Sequence, residues 1–120
     1  VQFLRESRRT IRPGGVIILE TVNPTCLTVY SGAMYADPTH QRPIHPEAAR
    51  QLLEMAGFTA IEFEYLSPVD PDKRLYTLEE AADPKLAGAI ETLNRNFERL
   101  NSVLYGHADY AAIGKKPAES

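Results

Sequence analysis

The sequence predicts an α/β domain, and three features indicate it. A helical pattern over residues 1–11 leads through a Pro-Gly-Gly turn at 13–15 into an apolar, β-branched run at 16–21. A second helix is marked by Pro46, and a stripe of apolar residues spaced by four and three predicts a long helix that ends near Gly106. Helices that alternate with strands along a chain are typical of α/β folds.

The first helix places Val1, Leu4 and Ile11 on one face, and Pro13 ends it because the residue before a proline avoids the α region. The run VIILET at residues 16–21 is apolar without interruption until its polar end. Such a run is typical of a strand that is covered on both faces, as in a parallel sheet.

The second helix has the clearest ends in the sequence. Pro46 suits the first helical position, Glu47 favours the positive end of the helix dipole, and Gly57 is placed as a left-handed C-terminal cap. The apolar face consists of Ala49, Leu52, Leu53 and Ala56. The alternating segment AIEFEYL at residues 60–66 then predicts a strand with one face at least partly exposed.

The last third of the chain is dominated by one helix. Thr77 and Glu80 form a capping box that predicts a short helix, and Asp83 with Pro84 predicts the start of the long one. Its apolar stripe consists of Leu86, Ile90, Leu93, Phe97, Leu100 and Leu104. A stripe of under three heptads favours packing on the chain's own sheet over a self-associating coiled coil. Residues 109–116 predict a short final strand, with Lys115 and Lys116 in solvent.

Size and charge exclude several classes of protein. A chain of 120 residues holds one domain with a core. Acidic and basic residues are interspersed along the chain and sum to a net charge of −3, so we expect no nucleic-acid partner. The longest apolar run, VIIL, is too short for a membrane span. The single Cys26 is expected to be a buried apolar residue in a reducing, cytoplasmic setting. Because Val1 begins directly in a helix, we expect a piece of a longer protein.

The segment YADPTHQRPIHPE at residues 35–47 has three interpretations. Asp37, His40 and His45 are possible metal ligands, but their spacing matches no zinc or calcium signature, so a metal site is the least favoured. A turn at Asp37-Pro38, with His45 capping the second helix, is the structural alternative. Histidine is also the side chain that most readily accepts a proton near neutral pH, so a catalytic acid/base role is the third interpretation.

Several motifs together resemble a known family. They are RPGGVIILET, the NP pair at 23–24, YxDPTHxxPIHPE, LLExAGF and DYAAIGKK. The sequence is similar to the C-terminal half of class I S-adenosylmethionine-dependent methyltransferases, and most of all to a bacterial group linked to sugar and O-antigen modification. The resemblance covers nearly the whole chain except residues 78–104, and ETxNP followed by YxDPTH is its most specific part.

The resemblance implies a C-terminal portion of a Rossmann-like sheet with flanking helices. VIILET would be the fifth strand, AIEFEYL the sixth and DYAAIGK the seventh, which runs antiparallel and pairs with both. Residues 1–120 would then form a single partial methyltransferase domain, with a helical insertion at 78–104 before the last strand.

The resemblance also implies a site. It places His40 over the acceptor as general base or positioning group, with Tyr35 and Asp37 around it. Glu20, Thr21 and Asn23 stand at the carboxyl end of the buried strand, where α/β sheets bind ligands, so we expect them to face the substrate. The alternative is that Asn23-Pro24 is only a turn that Thr21 caps. The expected acceptor is a small molecule or a saccharide, methylated on oxygen or nitrogen.

S-adenosylmethionine is the cofactor that the resemblance implies for the complete enzyme. Its glycine-rich turn and ribose-binding acid lie upstream in that family, and here the Pro-Gly-Gly turn precedes a strand instead of following one. We therefore expect no cofactor-binding residue in this chain, and no activity from the chain alone.

Two other functions remain open at this stage. The chain could be a non-catalytic fragment that associates through an open sheet edge or the 84–104 helix. Since the strand at 16–19 has no predicted neighbour on one side, this edge also predicts a homo-oligomer. A metal-dependent hydrolase built on His40 and His45 lacks a nucleophile or a third histidine and is the weakest hypothesis.

Overall fold

The computed structural model describes residues 2–32, 43–80 and 82–118. Its elements in chain order are α1 (Gln2–Thr10), β1 (Val16–Val22), the 3₁₀ helix η1 (Leu27–Ser31), α2 (Pro46–Met55), β2 (Thr59–Pro68), the 3₁₀ turn η2 (Pro71–Lys73), α3 (Pro84–Leu104) and β3 (His107–Lys115). The predicted α/β order is confirmed. No helix in the described part of the chain is long and apolar enough to cross a membrane.

The three strands form one sheet in the order β1-β3-β2. β3 runs antiparallel to both neighbours, with Val16 opposite Lys115 on one side and Phe63 opposite Ala112 on the other. The last strand of the chain therefore lies in the middle of the sheet. This confirms the pairing that the resemblance implied for the fifth, seventh and sixth strands.

One face of the sheet carries the core. Ile17, Tyr110 and Ala112 are buried there against Leu4 of α1 and Leu53 of α2. On the opposite face of β1, Val16 and Ile18 are exposed, Ile18 by 63 %. The prediction that β1 is covered on both faces is therefore wrong for the described residues. Side chains alternate along the strand, and both α1 and α2 pack on the same face.

The ends of α2 follow the predicted caps. His45 Nδ1 accepts a hydrogen bond from the Glu47 amide at 3.1 Å, and Pro46 takes the first helical position. Gly57 has a φ of 96°, and a Cβ at this position would lie 2.6 Å from Arg8 Nε. The positive φ is what favours glycine at residue 57, because the nearest atoms belong to the flexible Arg8 side chain.

Lys116 is not in solvent as the sequence predicted. It is 8 % exposed, and its ammonium donates to the carbonyl oxygens of Arg8 and Ile11, both at 2.8 Å. These carbonyls lie at the carboxyl end of α1, where a positive charge is favourable. The Lys116 backbone also pairs with the turn before β1, accepting from the Gly14 amide at 2.9 Å. Lys116 therefore joins the end of the sheet to the first helix.

The apolar stripe of α3 does not pack on the sheet, so that prediction is wrong. Leu86 is 54 % exposed, Leu93 42 % and Leu100 47 %, and Asn101 is the buried residue of the helix. α3 contacts η1 and the extended segment at residues 74–80.

Two asparagines of α3 hold that extended segment through paired hydrogen bonds. Asn101 accepts from the Leu75 amide at 2.8 Å and donates to the Leu75 carbonyl at 2.9 Å. Asn94 does the same with Leu78, at 2.7 and 2.9 Å. A side-chain amide presents one donor and one acceptor, as a peptide group does, so each asparagine satisfies both backbone groups of one residue.

The spacing explains why both pairs form. Seven residues of helix rise about 10 Å, and three residues of extended chain also span about 10 Å. Asn94 and Asn101 therefore match Leu78 and Leu75 when the segment runs antiparallel to α3. The short helix predicted from Thr77 and Glu80 is absent from residues 74–80, because Asn94 and Asn101 fully bond the backbones of Leu75 and Leu78 in the extended conformation.

Tyr110 lies at the centre of the core. Its side chain is fully buried, packs edge-to-face on Phe63 with ring centroids 6.0 Å apart, and donates its hydroxyl proton to the Ile44 carbonyl at 2.6 Å. Burial, together with the nearby Tyr65, raises the pKa of Tyr110 from 10.0 to about 12. The protonated phenol is therefore the form that the fold requires.

The asparagine pairs can be tested by the variant Asn101→Ala. Loss of both hydrogen bonds leaves the Leu75 amide and carbonyl without partners, so we expect the Leu75 amide to exchange about tenfold faster. Hydrogen exchange measures this. Asn96→Ala is the matched control, since Asn96 is an exposed residue of the same helix. Equal exchange in both variants would contradict the assigned role of Asn101.

The pH dependence of stability tests the environment of Tyr110. Because its folded pKa of about 12 exceeds the ordinary value of 10.0, the unfolded chain loses this proton first. Stability that is complete below pH 10 should be lost as the pH rises to about 12, by roughly 2–3 kcal/mol. Urea unfolding across this range should show the loss in the wild type and a smaller loss in Tyr110→Phe. Equal losses of stability in the wild type and in Tyr110→Phe would mean that groups other than Tyr110 cause the pH dependence.

The uncovered edge of β1 predicts association of the isolated chain. Unpaired strand edges are templates for pairing with another chain, and a charge on such a strand opposes it. We expect light scattering to show dimers or larger species for the wild type and monomers for Ile18→Lys. Leu86→Lys, a control on α3, should still associate. A wild-type monomer would contradict this prediction.

Candidate functional site

The carboxyl end of β1 presents the first predicted site residues. Glu20 is exposed and lies opposite Ala111 of β3, whereas Thr21 is half-buried opposite Tyr110. Successive residues of a strand point to opposite faces, so Thr21 lies on the side of the two helices and Glu20 on the uncovered side. The two residues are neighbours at the same end of the sheet, although their side chains diverge.

Asn23, the third predicted residue at this end, is used within the fold. It is 3 % exposed, its amide donates to the His107 carbonyl at 2.9 Å, and its oxygen accepts from both the amide and the hydroxyl of Thr25. These bonds build the turn at Asn23-Pro24, with Asn23 itself as the capping side chain. Asn23 therefore has a structural role, and its contact with an acceptor stays a prediction.

An apolar cavity of about 300 Å³ adjoins Thr21 on the helix side of the sheet. α1 and α2 form its walls and β1 and β3 its floor. The side chains that define it are those of Leu4, Leu19, Ala49, Leu52 and Tyr110, with Ile44 at the start of α2. A volume of this size is at the lower limit of ligand pockets, about 300–1,000 Å³.

Of the described residues that flank 33–42, those after residue 42 reach this cavity, because Ile44 lines it. Before residue 33, η1 is held by the buried Val29, and Cys26 is buried with Sγ 3.5 Å from the Leu104 carbonyl, as predicted for an apolar cysteine. After residue 42, the Ile44 carbonyl is bound by the Tyr110 hydroxyl. The predicted site residues Tyr35, Asp37 and His40 lie outside the described residues.

Sequence reasoning missed Tyr110 and Leu52 as parts of this region. Both lie in segments that were identified, DYAAIGK and LLExAGF, but only as parts of a strand and a helix. The alternation of the last strand puts Tyr110 and Ala112 on one face, yet the register with β1 is needed to bring that face beside Thr21. No local pattern carries that register.

The described residues lack the glycine-rich turn that would lie against the adenosine part of S-adenosylmethionine. The Pro-Gly-Gly turn is used within the fold. A Cβ at Gly15 would lie 2.6 Å from Ile11 Cγ2, and the Gly14 amide donates a hydrogen bond to the Lys116 carbonyl. In the ranges 2–32, 43–80 and 82–118, no glycine-rich turn follows a strand. The close approach of backbone to the cofactor that such a turn allows is thus lacking in the described part.

Comparison with curated proteins found a match to a malonyl-[acyl-carrier protein] O-methyltransferase from Dechloromonas aromatica (strain RCB). The two are 39 % identical over 64 residues, which is 51 % of this chain and 24 % of the relative. The match therefore covers about a quarter of the relative's length. No protein-family model matches the chain.

Comparison with solved structures found a SAM-dependent methyltransferase from Archaeoglobus fulgidus. The superposition has a TM-score of 0.83 at 30 % identity and covers 96 % of this chain and 51 % of that one. The chain thus spans about half of the solved structure. It is homologous to a methyltransferase in sequence, and its three-stranded sheet with helices has the fold of the C-terminal part of a SAM-dependent methyltransferase.

Proposed function

We propose that this chain is the acceptor-side part of an enzyme that moves a methyl group from S-adenosylmethionine to an acceptor oxygen or nitrogen. The observation that carries the proposal is the match of 96 % of the chain to a SAM-dependent methyltransferase. The name of the curated relative specifies O-methyl transfer, which favours oxygen as the acceptor atom. The acceptor is a small molecule or a saccharide, and the cofactor is held by residues outside the described part.

The chemistry assigned to this chain is alignment and deprotonation of the acceptor. Methyl transfer requires the acceptor atom in line with the methyl group, and removal of its proton makes it a better nucleophile. His40 accepts that proton, while Tyr35 and Asp37 hold the acceptor.

Glu20 and Thr21 bind the acceptor from the sheet. Thr21 offers a hydroxyl at the edge of the cavity, and Glu20 offers a carboxylate on the exposed side of the strand. A position at the carboxyl end of a strand supports this role, because ligands of α/β sheets bind there.

A second candidate is a non-catalytic interaction module. The uncovered edge of β1 and the exposed leucines of α3 favour it, since apolar surface of this kind marks contacts with other chains. Activity of the complete protein separates the two candidates, because the module requires no methyl transfer.

The complete enzyme carrying His40→Ala tests the proposed base. Turnover should fall by about 10²–10⁴, the usual contribution of general acid–base catalysis. The affinity for S-adenosylmethionine should stay within about twofold, because the base acts on the acceptor. The measurements are radiolabelled methyl transfer and calorimetric binding of the cofactor.

Gln41→Ala is the matched control, since it truncates the neighbouring side chain without removing a proton acceptor. It should retain turnover and cofactor affinity. Equal loss of turnover and affinity in His40→Ala, or no loss of either, would reject the assigned role.

A further inference from the structure

The cavity beside Thr21 is lined mainly by apolar side chains among the described residues. Leu4 and Leu19 contribute alkyl side chains from α1 and β1, and Ala49 and Leu52 contribute them from α2. The Tyr110 hydroxyl at the floor already donates to the Ile44 carbonyl, so this donor is used by the fold. The described lining of the cavity therefore offers apolar surface and few polar partners.

The polar side chain of β1 on the cavity side is that of Thr21. Thr21 follows Leu19 on the same face of β1, whereas the Glu20 side chain between them points to the uncovered face. A ligand that fills the cavity would thus bury its body against leucines and bring one end to the Thr21 hydroxyl. This is the polarity of an alkyl or aryl alcohol.

We propose that the cavity between α1, α2 and the end of β1 binds the apolar body of the methyl acceptor, with the acceptor's hydroxyl directed to Thr21. The identification of the ligand as the methyl acceptor rests on the proposed function, whereas the binding of an apolar ligand rests on the cavity alone. The acceptor class is thereby an alcohol or phenol with an alkyl or aryl body.

An unsubstituted saccharide does not suit this interior. Each buried hydroxyl without a hydrogen-bond partner costs free energy, and a sugar carries such groups on every side. A saccharide acceptor enters this site only through an apolar substituent. The interior of the cavity thus narrows the acceptor class that the resemblance implied.

Two probes of the same shape test the site in this chain. Benzyl alcohol and toluene share an aromatic body and differ by one hydroxyl, and glycerol serves as a polar probe. Titrations followed by methyl NMR should show saturable shifts at Leu4, Leu19 and Leu52 with both aromatic probes and none with glycerol. Benzyl alcohol should bind more tightly, by about 2–10-fold, through its hydrogen bond to Thr21.

Variants locate the site. Ala49→Phe fills the cavity and should weaken both aromatic probes at least about tenfold, because the larger side chain occupies their volume. Met55→Phe is the matched control, since Met55 is an exposed residue of the same helix outside the lining. Thr21→Val keeps the shape and should remove the advantage of benzyl alcohol over toluene.

The proposal would be overturned if neither aromatic probe gave saturable shifts. It would also be overturned if Ala49→Phe and Met55→Phe weakened probe binding equally. If Ala49→Phe fails to fold by circular dichroism, the Thr21→Val comparison decides: an unchanged preference for benzyl alcohol overturns it. Probe binding needs no cofactor, so the binding experiment tests the cavity independently of methyl transfer. A complete enzyme without methyltransferase activity would leave the binding result intact and reject only the proposed function.

Discussion

The whole structure depends on the position of β3 between two strands that do not touch each other. Within the sheet, β1 and β2 are joined through hydrogen bonds to β3, and the core residues Tyr110 and Ala112 lie on this central strand. Its end also supplies Lys116, which binds the carboxyl end of α1. Without β3 the helices would have no common surface to pack on, because one β-strand exposes too little apolar area to form a core.

Local patterns predicted the elements well where the signal was itself local. The caps at Pro46 and Gly57 and the spacing of the α3 leucines depend on neighbours within a few residues. The predictions failed where the partner is distant in sequence. The capping box at Thr77 and Glu80 did not form because Asn94 and Asn101 bond the backbone of this segment. The burial of Lys116 depends on a helix more than 100 positions away.

The places of Glu20 and Thr21 in the fold were predictable from the sequence, but their surroundings were not. Placing Glu20 and Thr21 at the end of an apolar strand required only the strand itself. The cavity beside them arises from three elements, and its floor residue Tyr110 reaches it through the register of β1 with β3. Asn23 differs from Glu20 and Thr21, because this polar residue at the same strand end forms hydrogen bonds within the fold, to Thr25 and to the His107 carbonyl. Residue type alone does not separate these roles.

The central position of the last strand has a consequence for synthesis on the ribosome. Asn23 and its partner His107 are 84 positions apart, so β1 is complete long before the strand that pairs with it exists. At about 5–20 residues per second this interval lasts roughly 4–17 s. During that time the apolar strand VIILE has neither its hydrogen-bonding neighbour nor its core partners from β3. Nascent chains of this protein therefore expose an unpaired apolar strand for seconds, and such a strand is a template for pairing with other chains.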